Sequence, residues 1–312
     1  MTTLCLITGA SGFIGSELSR AMNSSKYSNL NLVPRCAVRS KNLCLNKDLD
    51  YVVVPEVSAA TDWQSALLNV DVVVHLAGRA HIVDDKKIDS LEIFREVNVK
   101  GSINLAKQAV EAGVARFIFF SSIGVNGNET FGNAFRESDE PNPKEPYAVS
   151  KLEAEIALCK IFSKSNTQLV IIRPPLVYGL NAPGNFGALV RLIKYAIPLP
   201  FGAIHNLRSL VSLANIVDFT ITCVVNPRAA NQIFLVSDGS DISSSNLMRQ
   251  ISKSVGVPSR LVSMPVWALK AIARLLGKSD IAKRICGNLQ IDISKARNLL
   301  GWTPKLPSDN NI

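Results

Sequence analysis

Tyr147 and Lys151 stand four residues apart in Tyr147-Ala148-Val149-Ser150-Lys151, a phenol and an ammonium that a helix would bring to one face. Pro146 suits a first helical turn, and residues 152–158 are strong helix formers without Gly or Pro. A tyrosine loses its proton near pH 10 and needs a shift of roughly 3 units, about 4 kcal/mol, to exchange protons near neutrality. One lysine charge at ~4 Å in an effective dielectric of ~20 supplies about that much. Proton transfer is the chemistry such a pair offers. The same spacing on a solvated helix would carry none, so the neighbouring elements decide.

Residues 3–8 are an apolar run that enters Gly9-Ala10-Ser11-Gly12-Phe13-Ile14-Gly15, followed by a helix-like stretch to about Met22. Strand, glycine turn and helix together aim backbone N–H groups at a phosphate. The GxxGxxG spacing departs from GxGxxG, and a glycine turn without a ligand is the alternative. A second strand, residues 32–38, leads into Arg39-Ser40-Lys41, with no acid where a ribose-gripping carboxylate would stand. An arginine fork suits a 2′-phosphate, so Arg39 favours NADP(H), with NAD(H) as the alternative. A solvated basic turn would read the same way.

Strands follow at 51–54, 71–78 and 116–122, with helices at 61–68 and 92–112, the latter carrying Asn98. Continuous β-branched runs between helices indicate a parallel sheet covered on both faces. Beyond residue 177 the chain mixes Gly, Pro and Asn around one helical stretch, 186–195. The expected architecture is α/β, a Rossmann-type doubly wound parallel sheet with a smaller, interleaved substrate-binding lobe. Residues 1–177, rejoined by about 207–237, form the dinucleotide-binding unit; residues 178–206 plus 238–312 form the lobe. Residues 266–276 are amphipathic and basic, which invites a weak membrane-surface contact, with core packing of a lobe helix as the expectation.

The chain has 312 residues, 47% hydrophobic and 19% charged, with a net charge of +9. Its basic residues are spread out, without a dense Lys/Arg block interleaved with aromatics, which argues against nucleic acid. No apolar run reaches the ~18–20 residues of a membrane span, and no leader pattern opens the chain. Six cysteines lie scattered without a CxxC pair, as expected of free thiols in the cytoplasm. His75 and His81 lack partners at ligand spacing, so no metal is expected.

In this order the residues resemble the short-chain dehydrogenase/reductase superfamily, in its extended NAD-dependent epimerase/dehydratase branch that acts on nucleotide sugars. The resemblance rests on Gly9 to Gly15, His75-Leu76-Ala77-Gly78, Val97-Asn98-Val99-Lys100-Gly101 and Ser121 to Gly127. It continues through Tyr147 with Lys151, Arg173-Pro174-Pro175-Leu176-Val177-Tyr178-Gly179, residues 208–218 and Leu300-Gly301-Trp302. It implies that Tyr147 exchanges a proton with a substrate oxygen that Ser122 hydrogen-bonds. Lys151 would depress the tyrosine pKa and hold the nicotinamide ribose, with Asn98 supporting it through a water. Gly9, Ser11, Gly12, Phe13, Ile14, Gly15, Arg39, Ala77, Gly78, Tyr147, Lys151 and Pro174 would bind the cofactor. Asn185 and Arg208 would face the substrate nucleotide, Arg208 on the diphosphate; a helix N-cap and a structural salt bridge are their alternatives. The sequence departs from the family at Asn126, where a Tyr often stands, and at Leu176, where nucleotide-sugar epimerases commonly have Asn.

Arg39 makes net reduction the leading expectation: NADP(H)-dependent reduction of the 4-keto group of a nucleotide-linked (UDP, with dTDP or GDP as alternatives) deoxy or N-acetyl sugar in surface polysaccharide synthesis. The alternative is a UDP-hexose 4-epimerase with retained NAD, and a second is a non-catalytic nucleotide-binding protein. A nucleotide sugar is the expected partner, and a homodimer is left open.

Overall fold

The computed structural model describes residues 2–43, 46, 48–80 and 90–305. The first half runs β1 (Thr3–Thr8), α1 (Phe13–Met22), β2 (Leu32–Val38), β3 (Asp50–Val53), α2 (Gln64–Leu67), β4 (Val72–His75) and α3 (Ser90–Phe94). A π-helical segment, Arg95–Gly101, then enters α4 (Ser102–Glu111), followed by β5 (Arg116–Phe120), α5 (Pro146–Phe162) and β6 (Gln168–Arg173). The second half holds β7 (Val177–Tyr178), α6 (Gly184–Lys194), β8 (Arg208–Ser209), β9 (Val211–Ser212), α7 (Leu213–Val225), β10 (Gln232–Leu235) and β11 (Asp241–Ile242). Helices α8 (Ser244–Ser254), α9 (Val266–Leu275), α10 (Ser279–Cys286) and α11 (Ser294–Leu300) complete it.

Seven strands make one sheet in the order β10-β6-β5-β4-β1-β2-β3, every pair parallel. Side chains alternate across the pleat, so each strand feeds two cores. Cys5 and Ile7 join Leu18, Ile216 and Phe219 on one face, while Leu6 joins Leu105, Phe117 and Leu158 on the other. Helices therefore cover both faces, as the unbroken apolar runs require. The strand order reverses between β1 and β4, which opens a crevice at their carboxyl ends where such sheets take ligands.

Strand β10 returns the chain to the sheet beside β6. A separate cluster of Tyr178, Phe186, Ile193, Leu199, Leu247 and Ile251 packs α6 against α8. The stretch after α10 comes back to the first core: Trp302 stacks edge-on to Phe219 of α7 with ring centroids 4.9 Å apart.

Two elements differ from the sequence reading. The helix expected over 92–112 changes to π winding at Arg95–Gly101, and the buried Asn98 side chain there bonds the backbone of Arg79 and the hydroxyl of Ser150. π segments are rare and occur frequently at functional sites. Helix α9, expected to pack into a core, buries Leu269 alone, while Trp267 and Leu275 are 74% and 87% exposed. His81 and the tail 306–312 lie outside the described residues.

Candidate active site

The glycine turn sits at the crevice. Gly9 has φ +70°, the left-handed region, and a Cβ there would come within 2.9 Å of the Ala77 nitrogen. At Gly15 a Cβ would collide with the Gly9 carbonyl, so α1 packs directly on the turn. Gly12 donates to Gly9 O at 2.9 Å and serves as the N-cap of α1, whose first turn has neither a side-chain cap nor an acid. Ser11 and Gly12 are exposed, and Phe13 and Ile14 half-buried. The arrangement fits a dinucleotide: a close backbone approach and a helix start whose N–H groups are not already engaged by side chains. Arg39 is exposed just past β2 and makes no ion pair among the described residues; the side chain of Lys41 is not among them.

A buried hydrogen-bond chain runs from this turn to the π segment. Ala77 N donates to Thr8 Oγ1 (3.1 Å), which meets His75 Nδ1 at 2.7 Å. His75 Nε2 meets Ser102 Oγ at 2.9 Å, and Ser102 Oγ donates to Asn98 O at 2.7 Å. Because Ser102 spends its proton on Asn98, the chain is satisfied by a neutral His75 protonated at Nε2. Burial, and then the Lys151 charge, pull the His75 pKa down to about 3, consistent with that tautomer. Its role here is structural, and no group of metal-ligating side chains surrounds it among the described residues.

Asn98 Oδ1 accepts from Arg79 N (2.8 Å), and its Nδ2 donates to Arg79 O (3.0 Å) and to Ser150 Oγ (3.1 Å). Ser150 Oγ in turn donates to Tyr147 O at 2.7 Å, which ties the π segment to the first turn of α5. Lys151 is buried, donates to Phe120 O at the end of β5 at 2.8 Å, and lies 4.6 Å from the centroid of the Phe119 ring. A Cβ at Gly78 would fall 3.2 Å from Asn98 Oδ1 and 3.3 Å from Lys151 Nζ, so Gly78 separates the two. Tyr147 meets Phe94 edge-on at 5.8 Å, a contact that orients its ring.

The electrostatics differ from the expectation. Burial pushes Tyr147 up to about 12 and pulls the Lys151 ammonium down to about 8, the latter opposed in part by Glu155. Lys151 is turned onto the Phe120 carbonyl, and it does not by itself offset the desolvation of the phenol.

Ser122 is half-buried and caps the short turn Ile123–Val125 by accepting from Gly124 N at 3.1 Å. The Pro174 carbonyl accepts from Ile123 N (2.9 Å), so this buried proline supports the serine turn. Next to it, Ser121 Oγ is buried without a partner, a polar atom facing no protein acceptor. Asn126 is 2% exposed, accepting from Arg173 Nη1 (2.9 Å) and donating to Arg136 O (3.0 Å). That makes Asn126 a support of the turn rather than a substrate contact. Arg173 also forms a bidentate pair with Glu155 (2.6 and 3.0 Å) in which both side chains are under 5% exposed.

On the lobe side, Arg208 lies on β8 and donates Nη1 to Arg284 O (2.7 Å) and Gly287 O (3.2 Å), at the carbonyl end of α10. Its Nε and Nη2 make no hydrogen bond among the described residues. Leu176 is 39% exposed. Asn185 falls in the first turn of α6, whose N-cap is Pro183 rather than Asn185, and its side chain is outside the described residues. A cleft of about 1040 Å³ opens beside the site, lined by Asn126, Lys144, Glu145, Lys283 and Arg284 among others. It adjoins the Ser122 turn and does not contain it: none of Ser122, Tyr147 or Lys151 lines it.

Residues 5–236 match the family described as NAD dependent epimerase/dehydratase. The chain belongs to that family. A UDP-glucose 4-epimerase of Vibrio cholerae is 45% identical over 96% of this chain and 90% of its own length. An N-acetyl-alpha-D-glucosaminyl-diphospho-ditrans,octacis-undecaprenol 4-epimerase of Escherichia coli O157:H7 is 27% identical over 94% of this chain and 88% of that protein. Among solved structures, the UDP-glucuronic acid 4-epimerase of Bacillus cereus in complex with NAD superposes with a TM-score of 0.78. It is 21% identical, with 99% of this chain and 96% of that one covered. The last likeness establishes the fold: a Rossmann-like sheet flanked by helices, as in other members of this family of NAD-dependent enzymes.

Thr8, Ser102, Ser150 and Glu155 carry the site's second layer and were not singled out in the sequence. Ser150 had a readable signal, since it lies one helical turn after Tyr147. The others pair with residues distant in the chain, which spacing does not reveal.

Proposed function

We propose that this protein is a UDP-sugar 4-epimerase that works with retained NAD. The observation that carries the reading is the 45% identity, across nearly the whole of both chains, to a UDP-glucose 4-epimerase. The reductase expectation rested on Arg39, which is exposed just past β2 and makes no ion pair among the described residues, as either a 2′-phosphate site or a surface arginine would. The preference for NADP(H) has no further support, and the NAD complex of a structural neighbour favours the alternative cofactor.

Bound NAD supplies the acceptor and donor of a hydride, together with a positive charge on its nicotinamide ring. The residues of the chain do the rest. Tyr147 takes the proton of the sugar 4-hydroxyl as C4 is oxidised and returns it when the 4-keto group is reduced. Ser122 holds that oxygen, and Lys151, one helical turn further along α5, supplies positive charge. With its pKa raised by burial, Tyr147 rests protonated, so the oxidising half, which needs the phenolate as base, depends on the positive charge that Lys151 and bound NAD would bring to the site. Inversion at C4 requires the 4-keto sugar to offer both faces to one hydride carrier. The anchor must then be remote from the ring, and Arg208, with Nε and Nη2 not bonded to protein, suits the diphosphate. Leu176, apolar where the family commonly places Asn, puts no amide beside the sugar.

The test offers the purified protein UDP-glucose or UDP-N-acetylglucosamine without added cofactor, and separately a UDP-4-keto-6-deoxy sugar with NADPH. Interconversion of the C4 epimers, with NAD released on acid denaturation, is expected. NADPH oxidation by the keto sugar without epimerisation would overturn the reading in favour of the reductase.

A further inference from the structure

We infer that α9 and α10 form a docking face for an anionic lipid bilayer. Six of the seventeen large apolar side chains exposed among the described residues fall in residues 262–281: Val262, Trp267, Ile272, Leu275, Leu276 and Ile281. Trp267, Ala271 and Leu275 recur every four residues, so they share one side of α9, and all three are exposed. Lys270 and Arg274 stand three and seven residues after Trp267, which sets two cations on the same side. The buried side chain of α9 is Leu269, near the opposite side. An apolar stripe with a Trp, flanked by cations and lying along the surface, is the form of an interfacial helix.

The charge pattern decides the occupant. From Val266 at the start of α9 to Cys286 at the end of α10 the chain carries five Lys or Arg (Lys270, Arg274, Lys278, Lys283, Arg284) and one acid, Asp280. Lys270, Arg274 and Lys278 form no ion pair among the described residues. A protein partner would need its own complementary acids matched one by one, whereas an anionic membrane surface meets such a field without shape matching. No described helix is long and apolar enough to cross a membrane, so the contact is peripheral. Helix α10 joins the face to the candidate site: its Ile281 is 51% exposed, while Arg284 Nη2 donates to Glu145 Oε1 (2.6 Å), two residues before Tyr147.

The inference does not rest on the proposed reaction, and its test reads binding. Trp63 and Trp302 are 1% and 4% exposed, so Trp267, at 74%, reports the face by fluorescence. The full chain is mixed with vesicles of equimolar phosphatidylcholine and phosphatidylglycerol, and with phosphatidylcholine alone. Cosedimentation with the anionic vesicles and a blue shift of the emission are expected, with binding to the neutral ones at least tenfold weaker. Lys270→Glu with Arg274→Glu should lower anionic partitioning by about 25-fold or more, at ~5-fold per basic residue. Trp267→Ser with Leu275→Ser should lower it at least tenfold, with the far-ultraviolet spectrum and melting curve of the native protein retained. Equal binding to both vesicle types, or variants that bind like the native chain, would overturn the proposal. So would a self-associated native protein that the same substitutions convert to monomers, since the face would then belong to a second copy of the chain.

Discussion

Lys151 Nζ donates to the carbonyl oxygen of Phe120 at 2.8 Å, so the ammonium on the candidate catalytic helix is pinned to the last residue of a central strand. Burial pulls its pKa from 10.5 to about 8. Between those values the unfolded chain holds a proton that the folded one lacks, so this group makes stability rise with pH from about 8 to 10.5. Below pH 8 the folded state carries the whole cost of the buried charge. Lys151→Met should therefore raise the urea midpoint at pH 7, on the order of 1 kcal/mol or more, while abolishing turnover. The gain should shrink as the pH passes from 8 to 10. A variant less stable than the native chain at pH 7 would show that the hydrogen bond to Phe120 outweighs the desolvation.

Tyr147→Phe keeps the edge contact with Phe94 and removes only the hydroxyl. Turnover should fall by roughly 10²- to 10⁴-fold, the range for loss of a positioned acid/base, with little change in nucleotide-sugar affinity. Steady-state kinetics beside calorimetric binding of the UDP-sugar separates the two. Undiminished kcat would remove Tyr147 from the proton path.

The seven-stranded sheet was legible because its strands are unbroken apolar runs between helices, and a parallel sheet buried on both faces leaves that pattern in the chain. The glycine turn was legible for a similar reason, since Gly9 and Gly15 meet steric demands that other residues would violate. What spacing could not convey were the long-range polar pairs. Asn126 read as a departure from the family pattern, yet its amide is spent on Arg173 and Arg136, and the tyrosine pKa followed burial more than the lysine four residues away. Helix α9 shows the converse: its periodicity indicated an amphipathic helix correctly, but periodicity does not say whether an apolar face meets protein or solvent.

Beneath Ser122, the Arg173–Glu155 pair and Asn126 form a buried charged unit. Removing one partner leaves an uncompensated charge, so Arg173→Ala or Glu155→Ala should each cost about 3–5 kcal/mol in chemical denaturation. Glu155→Leu with Arg173→Met should recover most of that loss. Since Asn126 loses its donor in the double variant, kcat should stay low even where stability returns, because the serine turn is no longer braced. Two single substitutions that each cost under about 1 kcal/mol would mean that the pair contributes little to holding the turn.

His75 gives the protein an acid limit with a defined origin. Its neutral ring links Thr8 to Ser102, and its pKa falls from 6.5 to about 3 on folding. Between those values the unfolded chain binds the proton and the folded chain does not, so this contribution is full above pH 6.5 and is lost as the pH drops toward 3. His75→Phe removes the titrating ring and should lower stability at pH 7 by about 1–3 kcal/mol through the unpaired hydroxyls. It should also flatten the decline between pH 6.5 and 4 relative to the native chain. Carboxylates such as Asp218 and Asp292, whose pKa values are lowered in the fold, decline in both proteins, so the difference between the two curves isolates the histidine. Parallel curves would mean that the ring is protonated in the folded state and that the Thr8–His75–Ser102 chain runs with a different donor order.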